Sequence, residues 1–109
     1  MEFFDRPLLK KEIEKLQRSY GVYIKLTIDI KRELVVAGCV LHADGEKILL
    51  DKGSRQNDIW GGGLDLENKV VDTSAVLNIR PKLGNDNLEI LDSELRKKFI
   101  LITNKFFSL

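Results

Sequence analysis

His42, Asp44 and Glu46 place one imidazole and two carboxylates in a single short stretch of the chain. A histidine can accept a proton near neutral pH, and a neighbouring carboxylate can orient its ring. The pattern is typical of a general base, with His42 as the base and Asp44 as the residue that orients it. The same residues also fit a structural role, in which Asp44 belongs to a turn, Glu46 lies on the surface and His42 is hydrogen bonded.

Asn78 and Arg80 lie two positions apart, just before Pro81. Alternation places both on one face at the end of a predicted strand. A guanidinium beside an amide can bind a carboxylate or phosphate through paired hydrogen bonds, and Asn85 in the next loop can add a donor. We therefore expect an anion-binding site here. The alternative is that Arg80 only holds the following loop, residues 82–90, in place.

Trp60 precedes three consecutive glycines, of which Gly61 is the first. Glycine lets the backbone approach a ligand closely, and the indole offers a flat surface, so Trp60 and Gly61 are candidate ligand-binding residues. A phosphate loop is not indicated, because no Gly-Lys-Ser/Thr motif follows. The alternative is a bend or bulge beside a tryptophan of the core.

The chain contains one cysteine, Cys39, and one histidine, His42. A single cysteine excludes an intramolecular disulfide, and common zinc sites need three or four suitably spaced ligands. We expect Cys39 to be a buried thiol that packs as a small hydrophobic group. We expect neither a metal nor a cofactor.

Hydrophobic periodicity indicates the elements that must position these residues. A first helix is predicted, capped by Asp5 and ended by Gly21. Its apolar stripe consists of Leu9, Ile13, Leu16 and Tyr20. Strict alternation over residues 22–31 predicts a strand with one buried face. Residues 34–43 are apolar on both faces, which predicts a central strand covered on both sides.

Asp44-Gly45 is a favoured hairpin turn, so residues 46–51 are predicted as the next strand, with a short helix over 44–52 as the alternative. Further strands are predicted at 59–66 and 70–80. A final helix begins at the N-cap Asp92, and Phe107 and Leu109 at its end leave apolar surface for a partner. Short connections favour antiparallel pairing. The expected fold is one α+β domain, 1–109: an antiparallel sheet of about five strands flanked by an N-terminal and a C-terminal helix.

The composition places the chain among ordinary globular proteins. Of its 109 residues, 43% are hydrophobic and 32% are charged, with a net charge of +1. This balance excludes a disordered tail and a strongly basic nucleic-acid coat, so a nucleic-acid partner is not expected. The sequence shows no signal-peptide pattern and no apolar run of about 20 residues. We therefore expect a cytoplasmic protein without membrane contact.

Several motifs together resemble an uncharacterised family of small prokaryotic proteins with a domain of unknown function. The motifs are His-Ala-Asp-Gly-Glu-Lys at 42–47, Gly-Ser-Arg-Gln-Asn-Asp-Ile-Trp-Gly at 53–61, Asn-Ile-Arg-Pro at 78–81 and Gly-Asn at 84–85. The resemblance covers roughly residues 21–98. It implies no activity, ligand or catalytic residue.

The sequence favours a small, non-catalytic binding or interaction module, with an anion-binding site near Arg80 and Trp60. We expect a homodimer that associates through a sheet edge or the final helix. One alternative is a small enzyme acting on an anionic or phosphorylated substrate, which requires His42 and Arg80 to share a pocket. A further alternative, an RNA-associated protein or toxin–antitoxin component, depends only on size and fold class.

Overall fold

The computed structural model describes residues 1–109. The strands are β1 (Glu2–Phe4), β2 (Tyr23–Asp29), β3 (Leu34–Ala37), β4 (Ile59–Asp65) and β5 (Val70–Asp72), and the helices are α1 (Lys10–Tyr20), α2 (His42–Asp51) and α3 (Ser93–Phe107). All five strands pair antiparallel in one sheet, in the order β1-β3-β2-β4-β5. The predicted α+β class is therefore confirmed. No helix combines the length and apolar character needed to cross a membrane.

Helices cover both faces of the sheet. On one face, Leu16 of α1 and Phe99 of α3 belong to a large buried cluster that includes Trp60. On the other face, Leu49 of α2 packs in a smaller cluster with Val36. β3 lies inside the sheet, between β1 and β2, and its neighbouring residues face opposite clusters, so the predicted cover on both faces is confirmed. The predicted length, 34–43, is wrong, since the strand ends at Ala37.

The predicted one-sided burial of β2 is wrong. Thr27 and Asp29, expected on its solvated face, are fully buried. Thr27 lies against Gly45 of α2. Asp29 accepts a hydrogen bond of 2.5 Å from the Ser54 hydroxyl and another from the Arg32 backbone N–H. The charge is thus buried with hydrogen-bond donors, as burial of a carboxylate requires.

The predicted hairpin at Asp44-Gly45, with a strand at 46–51, is wrong, and the alternative helix is present as α2. The preceding strand ends at Ala37 because Gly38 adopts a φ of +83°. Gly45 is not among the residues with positive φ, so it does not serve as a hairpin turn. Its small size matters instead: a Cβ there would lie 2.6 Å from Thr27 Oγ1. Close contact between α2 and the sheet outweighs the local turn preference.

The first helix begins later than predicted. Residues 2–4 pair with β3 as the edge strand β1, so Asp5 is not the N-cap. The N-cap is Leu9, whose backbone N–H donates to Glu12 Oε1 at 2.7 Å. Glu12 also pairs with Arg6. The predicted end at Gly21 is confirmed, with a φ of +84°.

The strand predicted at 70–80 is present only as β5. Asp72 Oδ1 accepts a hydrogen bond from the Ser74 N–H, and this local turn bends the chain away from the sheet. Short 3₁₀ helices follow at Val76–Asn78 and Pro81–Leu83, after an earlier one at Gln56–Asp58. The N-cap Asp92 is confirmed. Phe107 is buried, so the apolar surface expected there is absent, whereas Leu109 is exposed.

Candidate functional site

The Asn78 side chain hydrogen bonds to the part of β4 that extends beyond its pairing with β5. The pairing of β5 with β4 stops at Gly63, which leaves Gly61 without a strand partner on that side. Asn78 Oδ1 accepts from the Gly61 N–H at 2.8 Å, and Asn78 Nδ2 donates to the Gly61 carbonyl at 2.9 Å. The same Nδ2 lies within hydrogen-bond distance of the carbonyls of Thr73 and Leu88. The fold therefore uses the whole Asn78 amide.

Arg80 continues this arrangement two residues further along the chain. Its Nη1 donates to the Ile59 carbonyl at 2.6 Å, and its Nη2 pairs with Glu46 Oε2 at 3.1 Å. The guanidinium carbon lies 5.1 Å from the centroid of the Trp60 ring. Burial lowers the pKa of Arg80, and Glu46 opposes that effect. Arginine nevertheless stays charged at neutral pH, so the site contains a fixed cation.

Trp60 is a tryptophan of the core, only 3% exposed. It packs in the larger cluster, and Arg80 lies over its ring. Its indole N–H is buried and has no acceptor. Because nearly all buried polar groups are hydrogen bonded, this free donor stands out in the chain.

The three glycines of β4 permit close packing on both faces of the sheet. A Cβ at Gly61 would lie 3.0 Å from the His42 ring. One at Gly62 would collide with the Asp72 carbonyl oxygen and with Phe99, and one at Gly63 with the Tyr23 hydroxyl. Protein atoms thus occupy the space that these glycines leave open. Gly61 contributes to the site through its backbone pairing with Asn78.

Asn85 organises the loop that follows Arg80. Its Nδ2 donates to the carbonyls of Asn78 and Glu89, and its Oδ1 accepts from the Leu91 N–H at 2.9 Å. The side chain is 4% exposed. Like Asn78, Asn85 shapes the site and has no free amide group to offer a ligand.

A first cavity of about 300 Å³ lies beside Arg80. Its charged lining residues are both cations, Arg80 and Lys82, and its polar lining includes the amides of Gln56 and Asn57. Lys82 is exposed and takes part in none of the ion pairs. An anion entering this cavity would therefore meet two cations and two neutral amides.

A second cavity, of about 360 Å³, adjoins the first, since Asn57 and Leu83 line both. Its remaining lining residues are Trp60, Gly84, Asn85, Leu91, Asp92 and Leu95. We call the two cavities together the Arg80 groove. One end of this groove is cationic, and the other is lined by apolar and polar residues in equal number, including a single carboxylate.

His42 lies elsewhere, at the first residue of α2. Its Nε2 is 2.7 Å from the Gly62 carbonyl oxygen, and burial lowers the pKa of the imidazole. It lines a third cavity of about 390 Å³, whose lining shares no residue with the Arg80 groove. Asp44 is exposed and forms no hydrogen bond with His42. The predicted base and the predicted anion-binding residue therefore line different cavities.

Cys39 is buried, as predicted, 3.8 Å from the Thr27 hydroxyl oxygen. Burial raises the pKa of the thiol, which disfavours the reactive thiolate. No group of three or more His, Cys, Asp or Glu side chains converges in a way that could hold a metal ion.

Sequence reasoning missed several residues of the groove. The sequence gives Gln56 and Asn57 no functional role, and it does not predict that Glu46, outside the groove lining, pairs with Arg80. Lys82 had the clearest signal, because it follows Arg80 and Pro81 as a second cation in the same turn. The nearness of Asn57 to Arg80 depends on tertiary structure and leaves no local signal.

The fold and site define a class: small α+β proteins in which helices cover both faces of a five-stranded antiparallel sheet and a partly cationic groove lies near one end of β4. The chain belongs to the family described as "Protein of unknown function (DUF5674)", which matches residues 3–106. This agrees with the resemblance noted above and extends it nearly to both ends of the chain. No curated protein and no solved structure gives a match.

Proposed function

We propose that this protein is a non-catalytic binding module and that its ligand carries an anionic group, which binds in the first cavity of the Arg80 groove. The observation that carries this proposal is the charge of that cavity, where Arg80 and Lys82 are the charged lining residues. An anion there gains charge-assisted hydrogen bonds, which are roughly twice as strong as neutral ones.

The two cations have different roles in this proposal. Glu46 and Ile59 hold Arg80 in one orientation, so little side-chain entropy is lost when it binds a ligand. Glu46 also offsets part of its charge. Lys82 is unpaired and provides the net positive charge, while Arg80 still has N–H groups free to donate. The cavity thus combines a fixed donor with an adaptable one.

The test uses Trp60, the only tryptophan, as a fluorescent reporter beneath the guanidinium. Ribose 5-phosphate is titrated into the native protein and into Lys82→Ala, with Lys98→Ala as the matched control. Lys98 is an exposed lysine of α3 that also lacks an ion-pair partner.

We expect saturable binding that Lys82→Ala weakens at least about tenfold, since a lost hydrogen bond to a charged group costs about 1.5–3 kcal/mol. The affinity of Lys98→Ala stays at the native value. Absence of saturable binding, or an equal effect of both substitutions, would refute the proposed function.

The enzyme alternative has less support. It requires His42 and Arg80 in one pocket, and they line separate cavities. The RNA-associated or toxin–antitoxin alternative has little support from the basic run on α3. There, Arg96 donates to the Ile90 carbonyl and Lys97 pairs with Glu94.

We also propose that the protein forms a homodimer, through a surface other than the sheet edge or final helix expected from the sequence. The support is the exposed apolar side chains beside the third cavity, where Val40, Leu41 and Val76 are 74%, 60% and 76% exposed. Sedimentation equilibrium should give a dimer that Leu41→Glu dissociates. Leu101→Glu, which places a charge at a 65% exposed position of α3, should leave the dimer intact. A monomeric native protein refutes this proposal.

A cytoplasmic location is a separate proposal. Its support is the single buried cysteine, since disulfides are typical of exported small proteins. Fractionation of the source cells tests it, and recovery of the protein outside the cytoplasmic fraction overturns it.

A further inference from the structure

The two cavities of the Arg80 groove differ in chemistry and share a boundary. The first is cationic, and Asn57 and Leu83 connect it to the second. Asn57 is exposed at this boundary and can both donate and accept a hydrogen bond. A ligand that fills only the first cavity leaves the second unused. The groove therefore fits a molecule with an anionic end and a second part of different character.

The second cavity suits a body with both apolar surface and hydrogen-bonding groups. Leu83, Leu91, Leu95 and Trp60 line it together with a few polar groups. Its volume of about 360 Å³ falls within the range of small-molecule sites. A nucleobase has this character, because its faces are apolar and its edge carries both donors and acceptors.

Asp92 supplies the acceptor in this cavity. Its Oδ1 caps α3 by accepting from the backbone N–H groups of Glu94 and Leu95. Its Oδ2 accepts no hydrogen bond within the chain. A carboxylate oxygen can only accept, so it selects a ligand with an N–H donor and repels one with a carbonyl oxygen at the same place.

Trp60 supplies an independent observation. It lines the second cavity, and its buried indole N–H is the one buried side-chain polar atom without a partner. An unpaired buried donor destabilises the fold. A ligand acceptor that reaches this N–H would recover part of that lost stability. The residues that line the second cavity thus include one acceptor without a partner, on Asp92, and one buried donor without a partner, on Trp60, which are the two kinds of group that pair with the edge of an amine-bearing base.

We propose that the ligand of the Arg80 groove is a mononucleotide whose base carries an exocyclic amine, with the phosphate against Arg80 and Lys82 and the amine against Asp92. This inference rests on the proposed function, since it uses the same first cavity for the phosphate. It adds the chemical class of the ligand and assigns the second cavity to the base.

The experiment compares paired nucleotides by calorimetry. AMP and CMP carry the amine, whereas IMP and UMP carry a carbonyl oxygen at the corresponding position; adenosine lacks the phosphate, and ribose 5-phosphate lacks the base. The variant is Asp92→Asn, which removes the charge and keeps an N-cap, because asparagine caps helices as well as aspartate. Urea denaturation of the variant verifies that the cap is retained.

We expect AMP or CMP to bind about tenfold more tightly than IMP or UMP, and adenosine and ribose 5-phosphate to bind more weakly than AMP. Asp92→Asn removes the preference for the amine and leaves the affinity for ribose 5-phosphate at the native value. Equal binding of all phosphates refutes the proposed nucleotide ligand but still supports the anion site in the first cavity. No binding by any phosphate refutes both.

Discussion

Asn78 and Gly61 pair through two hydrogen bonds, from the Gly61 N–H to Asn78 Oδ1 at 2.8 Å and from Asn78 Nδ2 to the Gly61 carbonyl at 2.9 Å. The Asn78 side-chain amide thus makes the two hydrogen bonds that a neighbouring strand would otherwise make with Gly61. Arg80 likewise donates to the carbonyl of Ile59, two residues back along β4. Asn78 and Arg80 are two residues apart, and so are Gly61 and Ile59, whose backbone groups they bind.

The first prediction concerns the stability that Asn78 provides. Asn78→Asp keeps an oxygen for the Gly61 N–H but places a buried carboxylate beside the Gly61 carbonyl. We expect urea denaturation to show a loss of at least about 3 kcal/mol, because a buried charge without a partner is strongly destabilising. Asn57→Ala removes an exposed amide and should change the unfolding free energy by less than about 0.5 kcal/mol. Similar effects of the two substitutions would show that the edge pairing contributes little.

The second prediction compares the loss of stability caused by alanine at two neighbouring glycines, Gly62 and Gly63. A Cβ at Gly62 meets the backbone carbonyl of Asp72 and the buried Phe99, which cannot move freely. A Cβ at Gly63 meets the end of the Tyr23 side chain, which is 41% exposed and can rotate away if its hydroxyl gives up the hydrogen bond to Asp72. We expect Gly62→Ala to lower the unfolding free energy by about 2–3 kcal/mol more than Gly63→Ala. Thermal melts of both variants test this order, and the reverse order would contradict the packing described here.

The third prediction concerns the Arg80–Glu46 ion pair. Its side chains are only 12% and 15% exposed, so removal of one partner leaves a largely desolvated charge. We expect Arg80→Met to destabilise the fold by about 2–3 kcal/mol, and the double substitution with Glu46→Gln to recover much of that loss. A double-mutant cycle by urea denaturation measures the coupling. Additive single effects would mean that the pair is not coupled.

The fourth prediction concerns pH. Burial lowers the pKa of His42 below its ordinary 6.5, so the folded protein holds the imidazole neutral. The unfolded chain takes up a proton first as the pH falls. The unfolding free energy therefore decreases from about pH 7 downward through 6.5, by about 1.4 kcal/mol per unit of pKa difference.

Urea denaturation at pH 7.5 and 5.5 measures that decrease. His42→Gln keeps a side-chain N–H donor and removes the titration, so its unfolding free energy should change less between the two pH values. His42 is the only histidine, which makes the comparison specific. An equal pH dependence of both proteins would assign the effect to other groups.

Local patterns in the sequence predicted elements whose packing agrees with their own preferences. Asp92 caps α3 because its carboxylate meets the free N–H groups of the first turn. The alternation around Ile24, Leu26 and Ile28 predicted β2, since those positions form one buried face. Arg80 and Trp60 were both chosen as candidate residues, and the structure places one over the other.

Tertiary contacts decided the rest. Residues 42–51 form a helix because Gly45 lies against Thr27 and Leu49 enters the core, and neither contact is visible in a turn preference. The strand predicted over 70–80 ends at Asp72, so the partner of Gly61 became a side chain, Asn78. The sequence by itself thus determined the fold class and indicated Arg80 and Trp60 as candidate residues. Only long-range packing decided that Arg80 and Lys82 line a cavity joined to a second one, whereas His42 lines a different cavity.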